Sequence, residues 1–166
     1  MGFQTIEVAE FDILLKEKFT DKIISVEKLY DVSVATVSLG SIKEVLSFLQ
    51  EKGFTFLTSC HGIHLPDEKE KFGMIYHLHD MPNNLRIRIK TFTNQEPPIF
   101  PSLVDVFPSA NWMERETYDF YGFRFTGHPD LRRILNVDDM EGFPMRKEFP
   151  LEDQARFDKD DKMFGR

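Results

Sequence analysis

Apolar residues recur along this chain in two distinct periods. From Ile6 to Phe19, Val8, Phe11, Leu14, Leu15 and Phe19 return at helical spacing with charges between them, which predicts an amphipathic helix. Ile23–Leu29 and Val32–Leu39 predict strands, with Tyr30 and Asp31 at the turn. The run VSVATVSL alternates apolar and small polar residues, as a strand with one buried face does. Ser41 with Glu44 three positions on has capping-box spacing, and the helix IKEVLSFLQEK next to it stops at Gly53. Phe54–Leu65, Phe72–His79 and Leu85–Thr93 predict three more strands, and the links PDEKEK and DMPNN carry turn chemistry.

The element order is therefore α-β-β-α-β-β-β, a two-layer α+β domain with a mixed sheet, then a short helix and an extended C-terminal arm. Asn94–Pro101 interrupts the pattern with three prolines and marks a boundary. Ser102, with Asp105 three positions on, or Ser109 can cap a helical piece beyond it. Asn111–Tyr121 predicts a helix with Met113, Thr117, Phe120 and Tyr121 on one face and Gly122 as its stop. Periodicity fades after Gly127. The expected division is residues 1–101 as the domain, 102–151 as helix and partner-binding arm, and 152–166 as a charged tail ordered only on a partner.

Composition narrows the function classes. With 166 residues and 41 % hydrophobic content the chain can build one core. A formal net charge of −7 argues against nucleic acid as a partner. Cys60 is the single cysteine, so no internal disulfide can form, and an iron–sulfur cluster would lack most of its roughly four thiolate ligands. No run reaches the roughly 18 apolar residues of a membrane span, and the start MGFQTIEVAEF has neither signal- nor transit-peptide character. Membrane association is expected through partners only.

Several residues invite chemical readings. His61, His64, His77 and His79 suggest a metal site. However, His61 and His64 stand at i and i+3 on a strand and point to opposite faces, and no third ligand stands at a diagnostic spacing. Sheet histidines satisfied by neighbours are the simpler account. Gly122 to His128 imitates phosphate-loop glycine spacing but lacks the lysine and hydroxyl, and Pro129 removes a donor. Glu114, Glu116 and Asp119 could do acid–base work, but Arg115 and Asp119 are four apart and read more simply as an ion pair. Arg132-Arg133 and Arg146-Lys147 lie among Pro129, Phe143, Pro144, Phe149 and Pro150. Stiff, apolar surroundings lower the entropy lost on docking, which favours an interface arm.

The segment from Asn111 to Leu151 resembles the signature of the 30 kDa subunit family of respiratory complex I, called the C subunit in bacteria. The matching residues are Trp112, Glu114-Arg115-Glu116, Asp119-Phe120-Tyr121-Gly122, Gly127-His128-Pro129, Leu131-Arg132-Arg133-Ile134-Leu135 and Pro144-Met145-Arg146-Lys147, with Pro150 beyond them. The match runs without a gap. Phe143 before Pro144 and Glu148 in place of the usual Asp are minor departures. The resemblance implies a cofactor-free structural subunit of the peripheral arm of a proton-translocating NADH:quinone oxidoreductase, at the cytoplasmic face of the bacterial inner membrane. It implies docking on the 49 kDa quinone-site subunit beside iron–sulfur subunits, with iron–sulfur clusters, FMN and quinone held by partners. It implies no catalytic, cofactor-binding or metal-binding residue in this chain; the signature residues are partner-binding. The same family also serves membrane-bound hydrogenases and ferredoxin-dependent complexes, which stand as the alternative. A small histidine-based metal enzyme is the distant rival.

Overall fold

The computed structural model describes Ile13, residues 15–30 and residues 32–150. Most of the helix expected over Ile6–Phe19, together with Asp31, Leu151 and the charged tail, lies outside the described residues. Residues 15–18 are helical, and Leu15 and Phe19 reach the core.

Seven strands and two longer helices make up the rest. They are β1 (Ile23–Leu29), β2 (Val32–Val37), α1 (Ile42–Glu51), β3 (Phe56–His64), β4 (Phe72–Asp80), β5 (Leu85–Thr93), β6 (Ile99–Pro101), α2 (Ala110–Tyr121) and β7 (Arg124–Thr126). The main sheet has the order β1-β2-β5-β4-β3. Within it only β2 and β5 run parallel; the other neighbours are antiparallel. The sheet is mixed, as expected. One face carries Ala35, Ile87, Ile89, Met74, Tyr76 and Leu78, all buried in the core that α1 and α2 cover. The other face carries Arg86, Arg88, Lys90, His77 and His79, the alternate residues of the same strands.

The capping box does not form. Leu39–Ser41 is a 3₁₀ turn that runs directly into α1, so Ser41 already has helical dihedrals. Its hydroxyl meets Ser38 Oγ at 3.2 Å, and Glu44 pairs with Lys22 at 2.6 Å instead of turning back on the helix end. Gly53, with φ of 109°, ends the helix region as expected.

The boundary expected at residue 101 has no counterpart in the packing. Phe100, Leu103, Phe107, Ala110, Phe123 and Phe125 belong to the same buried cluster as the sheet. β6 and β7 pair in parallel, Ile99 opposite Arg124, and so close the excursion that contains α2. Gly62 lets the helix approach β3: a Cβ there would stand 2.7 Å from Thr117 Cγ2. The arm proper begins after Gly127.

Candidate partner-binding site

Helix α2 buries polar side chains where the sequence predicts an apolar stripe. Its buried positions fall in two rows, Ala110, Glu114 and Thr117 in one and Arg115 and Asp119 in the next. Met113 and Tyr121 pack only at the core's margin, and Phe120 is half-buried. The first row faces the sheet and the second faces the arm. Gly122, with φ of 75°, closes the helix, and its N–H donates to Tyr118 O.

On the sheet side, the Glu114 carboxylate accepts Ser102 Oγ–H and Leu103 N–H, each at 2.7 Å. Burial raises its pKa to about 7, and the two hydrogen bonds only partly offset that rise. Burial foremost, then the charge of Glu114, pushes the Cys60 thiol well above its usual range. Burial likewise pushes up the Tyr76 hydroxyl, which has no hydrogen-bond partner among the described residues. Ser102 therefore works as a strut between the 102–103 turn and the helix rather than as a cap. Ser109 occupies the N-cap without a side-chain hydrogen bond, and Asp105 pairs with Lys43 at 2.7 Å.

On the arm side, Asp119 is a clamp. Its Oδ2 accepts the backbone N–H groups of Ile134, Leu135 and Asn136 at 3.1, 2.8 and 2.9 Å. Its Oδ1 accepts Asn136 Nδ2 at 3.1 Å and Arg133 Nη1 at 3.3 Å. Burial alone would raise this carboxyl, but the N–H donors of Asn136, Leu135 and Ile134 outweigh it and hold the pKa at about 2. Arg115 does not pair with Asp119, the partner its spacing predicts. Its guanidinium lies over the Trp112 ring and donates to the carbonyls of Arg132 and Arg133 at 3.2 and 3.1 Å. Arg133 also donates to Met140 O at 2.8 Å. The two α2 side chains thus grip one turn of the arm from both its donor and its acceptor sides.

The far end of the arm is fastened as well. Arg146 Nε donates to Tyr121 O at 2.7 Å, and its Nη1 pairs with Glu96 at 2.6 Å. The guanidinium lies over the rings of Phe72 and Phe143. Lys147 N–H donates to His64 Nδ1 at 3.1 Å, and Met145 N–H to Phe120 O. His128 bridges Asn111 O through Nε2 and Asp130 N–H through Nδ1. Expected as partner-facing, Arg115, Arg133 and Arg146 instead turn inward, because the arm's loose carbonyls and nearby acids need donors.

The outward surface is what remains. Trp112, Leu135, Val137 and Met145 are exposed, the two aliphatic ones at 66 % each. Glu116, Pro129, Arg132, Lys147 and Pro150 are exposed too, with Arg132 paired to Asp130 at 2.9 Å. Leu131 packs against the core, Pro144 is half-buried, and Gly127 has φ of 86°. A cleft of about 420 Å³ between β3, α2 and the arm is lined by His61, Glu116, Phe120, Tyr121 and Met145. Asn136 and Val137 carry parts of this site that the sequence does not announce. Val137 is visible there only as an apolar residue outside any periodic element, and Asn136 gives no signal.

The four histidines do not converge. His61 stacks on His77 at 5.7 Å on one sheet face, while His64 stacks on Phe72 at 4.9 Å on the other. Among the described residues, no three or more His, Cys, Asp and Glu are grouped to hold a metal ion. No helix among them is long and apolar enough to cross a membrane.

A mixed five-stranded α+β sheet with a clamped arm defines the class. Comparison with known proteins gives the family. Residues 35–155 match the respiratory-chain NADH dehydrogenase 30 kDa subunit family. The C subunit of the NADH-quinone oxidoreductase of Chelativorans sp. is 44 % identical over 82 % of this chain and 70 % of its own length. Its counterpart in Methylobacterium radiotolerans is 49 % identical over 63 % of this chain, and that match spans 49 % of the counterpart's length. One from Rhizobium meliloti is 39 % identical over 89 % of this chain and 76 % of its own. Among solved structures, a trypsin-resistant fragment of Nqo5 superposes with a TM-score of 0.65 at 28 % identity, covering 73 % of this chain and 98 % of the fragment. A chain of the membrane-bound sulfane sulfur reductase, an archaeal respiratory membrane complex, shares the fold, with a TM-score of 0.76 at 23 % identity over 92 % of this chain and 95 % of its own. The chain belongs to the 30 kDa subunit family of the respiratory-chain NADH dehydrogenase.

Proposed function

We propose that this chain is a structural subunit of the peripheral arm of a proton-translocating NADH:quinone oxidoreductase, on the cytoplasmic face of the bacterial inner membrane. It docks on the 49 kDa quinone-site subunit through the outward side of α2 and the arm, next to iron–sulfur subunits. Electrons pass through those neighbours, which hold the clusters, FMN and quinone; one cysteine supplies too few thiolates for a cluster of its own. The observation that carries the reading is the arm's division of labour. Its backbone groups, with Arg133 and Arg146, are spent inward on Asp119, Arg115 and Glu96, while Leu135, Val137 and Met145 face out among exposed charges, beside Trp112 of α2. An irregular segment fixed from within, with exposed apolar side chains inside a charged rim, fits a protein partner. Fixing it beforehand lowers the ordering cost of docking.

A Leu135→Asp, Val137→Asp variant tests this. It should fold like the parent, since both side chains are exposed, and should lose co-purification with the 49 kDa subunit by roughly tenfold or more. Normal assembly of that variant would overturn the reading. The related sulfane sulfur reductase keeps the equivalent subunit of another membrane complex as a second reading. The proteins that co-purify with this chain decide between them.

A further inference from the structure

The sheet face turned away from the helices holds a second, unassigned surface. On adjacent antiparallel strands, Arg86 stands opposite His79 and Arg88 opposite His77. These four, with Val32 and Thr58, line a cleft of about 370 Å³. His77 Nε2 accepts Arg88 Nε–H at 2.7 Å, so this ring nitrogen carries no proton. The other nitrogen, Nδ1, meets Ser59 Oγ at 2.8 Å. That series of bonds fixes the Arg88 guanidinium by one edge and, among the described residues, leaves its terminal N–H groups open. Among the described residues, His79 Nε2 is buried and unpartnered.

The charge here is uncompensated. Among the described residues, neither Arg86, Arg88 nor Lys90 forms an ion pair with a carboxylate, although the chain carries a net charge of −7. Glu27, the acid in the same cross-strand row as Arg88, is separated from it by Val34. The cationic block also has apolar ends. Exposed Phe56 pairs across from His79 on β3, and exposed Leu29 pairs across from Val32 on β1. One row thus carries Arg86 and His79 between apolar ends, and Arg88 stands two residues along β5 from Arg86, in a neighbouring row.

We propose that this strip binds an extended acidic segment of a neighbouring protein in the assembly, whose carboxylates seat on Arg86 and Arg88 while flanking apolar side chains cover Phe56 and Leu29. Arginine forks match carboxylates in a bidentate way, and a pre-oriented fork loses less entropy on pairing. The apolar ends favour a peptide over a bare oxyanion, which would leave Phe56 and Leu29 in water. The strip lies on the opposite sheet face from α2, and the proposal assumes only that the chain works inside an assembly.

Titration of the isotope-labelled full chain with a short peptide carrying a Leu-Glu-Glu-Leu run tests it. Amide resonances of β4 and β5 around His77, His79, Arg86 and Arg88 should move. The double variant Arg86→Glu, Arg88→Glu should bind roughly tenfold more weakly or worse. Should that variant misfold, Leu29→Ser with Phe56→Ser removes the apolar ends alone and should also weaken binding. The Leu135→Asp, Val137→Asp variant should bind the peptide unchanged, which separates this surface from the arm. Absence of peptide binding, binding undiminished in both strip variants, or equal or tighter binding of inorganic phosphate at the same residues would each overturn the proposal.

Discussion

Glu114 and Asp119 sit on one helix and are both out of water, yet their protonation equilibria move in opposite directions. The difference is the number of donors that reach each carboxylate. Glu114 has two, and burial dominates, so its pKa stands at about 7. Asp119 has three backbone N–H groups, an amide and a guanidinium, and the donors dominate. The two groups therefore act on stability in different pH windows. Glu114 is raised, so the folded state holds its proton where the unfolded state has released it. Its contribution is fully present below about 4.5 and falls away as the pH rises towards 7, by roughly 3 kcal/mol. Glu114→Gln should flatten the stability profile in that window, which denaturant titrations at several pH values would read. Asp119 is depressed, so its contribution is complete above about 3.8 and is lost as the pH falls towards 2. Asp119→Asn places an amide donor against three N–H groups. It should cost about 2–4 kcal/mol and speed hydrogen exchange at residues 133–136. None of this is legible in the carboxylates themselves. The partners of Glu114 come from residues 102 and 103 and those of Asp119 from 133–136, and no local spacing reports either.

At the scale of elements, the strands are the most readable part. Alternation marks which side of a strand is buried, and β4 and β5 obey it along most of their length; β2 does not, since Ser33, Val34 and Ala35 are all buried and Val34 shares the face of Arg88. Strand geometry is strictly local, so the spacing of His61 and His64 alone places them on opposite faces. Helix α2 lies within a residue of its predicted bounds, Gly122 included, but its inward face differs from the predicted one. The apolar stripe lies at the core's margin because the helix packs between a sheet and an arm and buries two rows. Ser41 departs from its predicted capping role for a related reason: the preceding 3₁₀ turn has already committed its backbone. Gly122 offers a direct test. Its φ of 75° disfavours a side chain, and a Cβ there would collide with the Phe143 ring of the arm. Gly122→Ala should lower stability by about 1–3 kcal/mol and loosen the arm near Phe143, as thermal unfolding and hydrogen exchange would show.

For the whole molecule, the sequence points to an arm but assigns its basic groups outward. Arg133 and Arg146 read as hands held out to a neighbour, yet both hold the arm to its own domain. Signature residues of this type are shared with the fold's internal scaffolding, and a linear motif cannot say which way a side chain points. The consequence can be measured. Arg146→Ala should free the 143–150 stretch in the isolated chain, with a loss of about 1–3 kcal/mol. Any assembly defect should then stem from that loosening, with hydrogen exchange at residues 143–150 rising before any partner is added.

The return of the arm to the sheet also shortens a lever. Lys147 is pinned to His64, the last residue of β3, and Arg146 is locked over Phe72, the first residue of β4. Pro150 is therefore carried beside the β3–β4 edge and not swung from Gly127, where the arm leaves the core. Between Gly127 and Lys147 the arm is thus a loop closed at both ends, and a neighbour meets it in one arrangement. Cutting either pin would open that loop and let Met145, one of its outward residues, wander from the place where a neighbour would meet it.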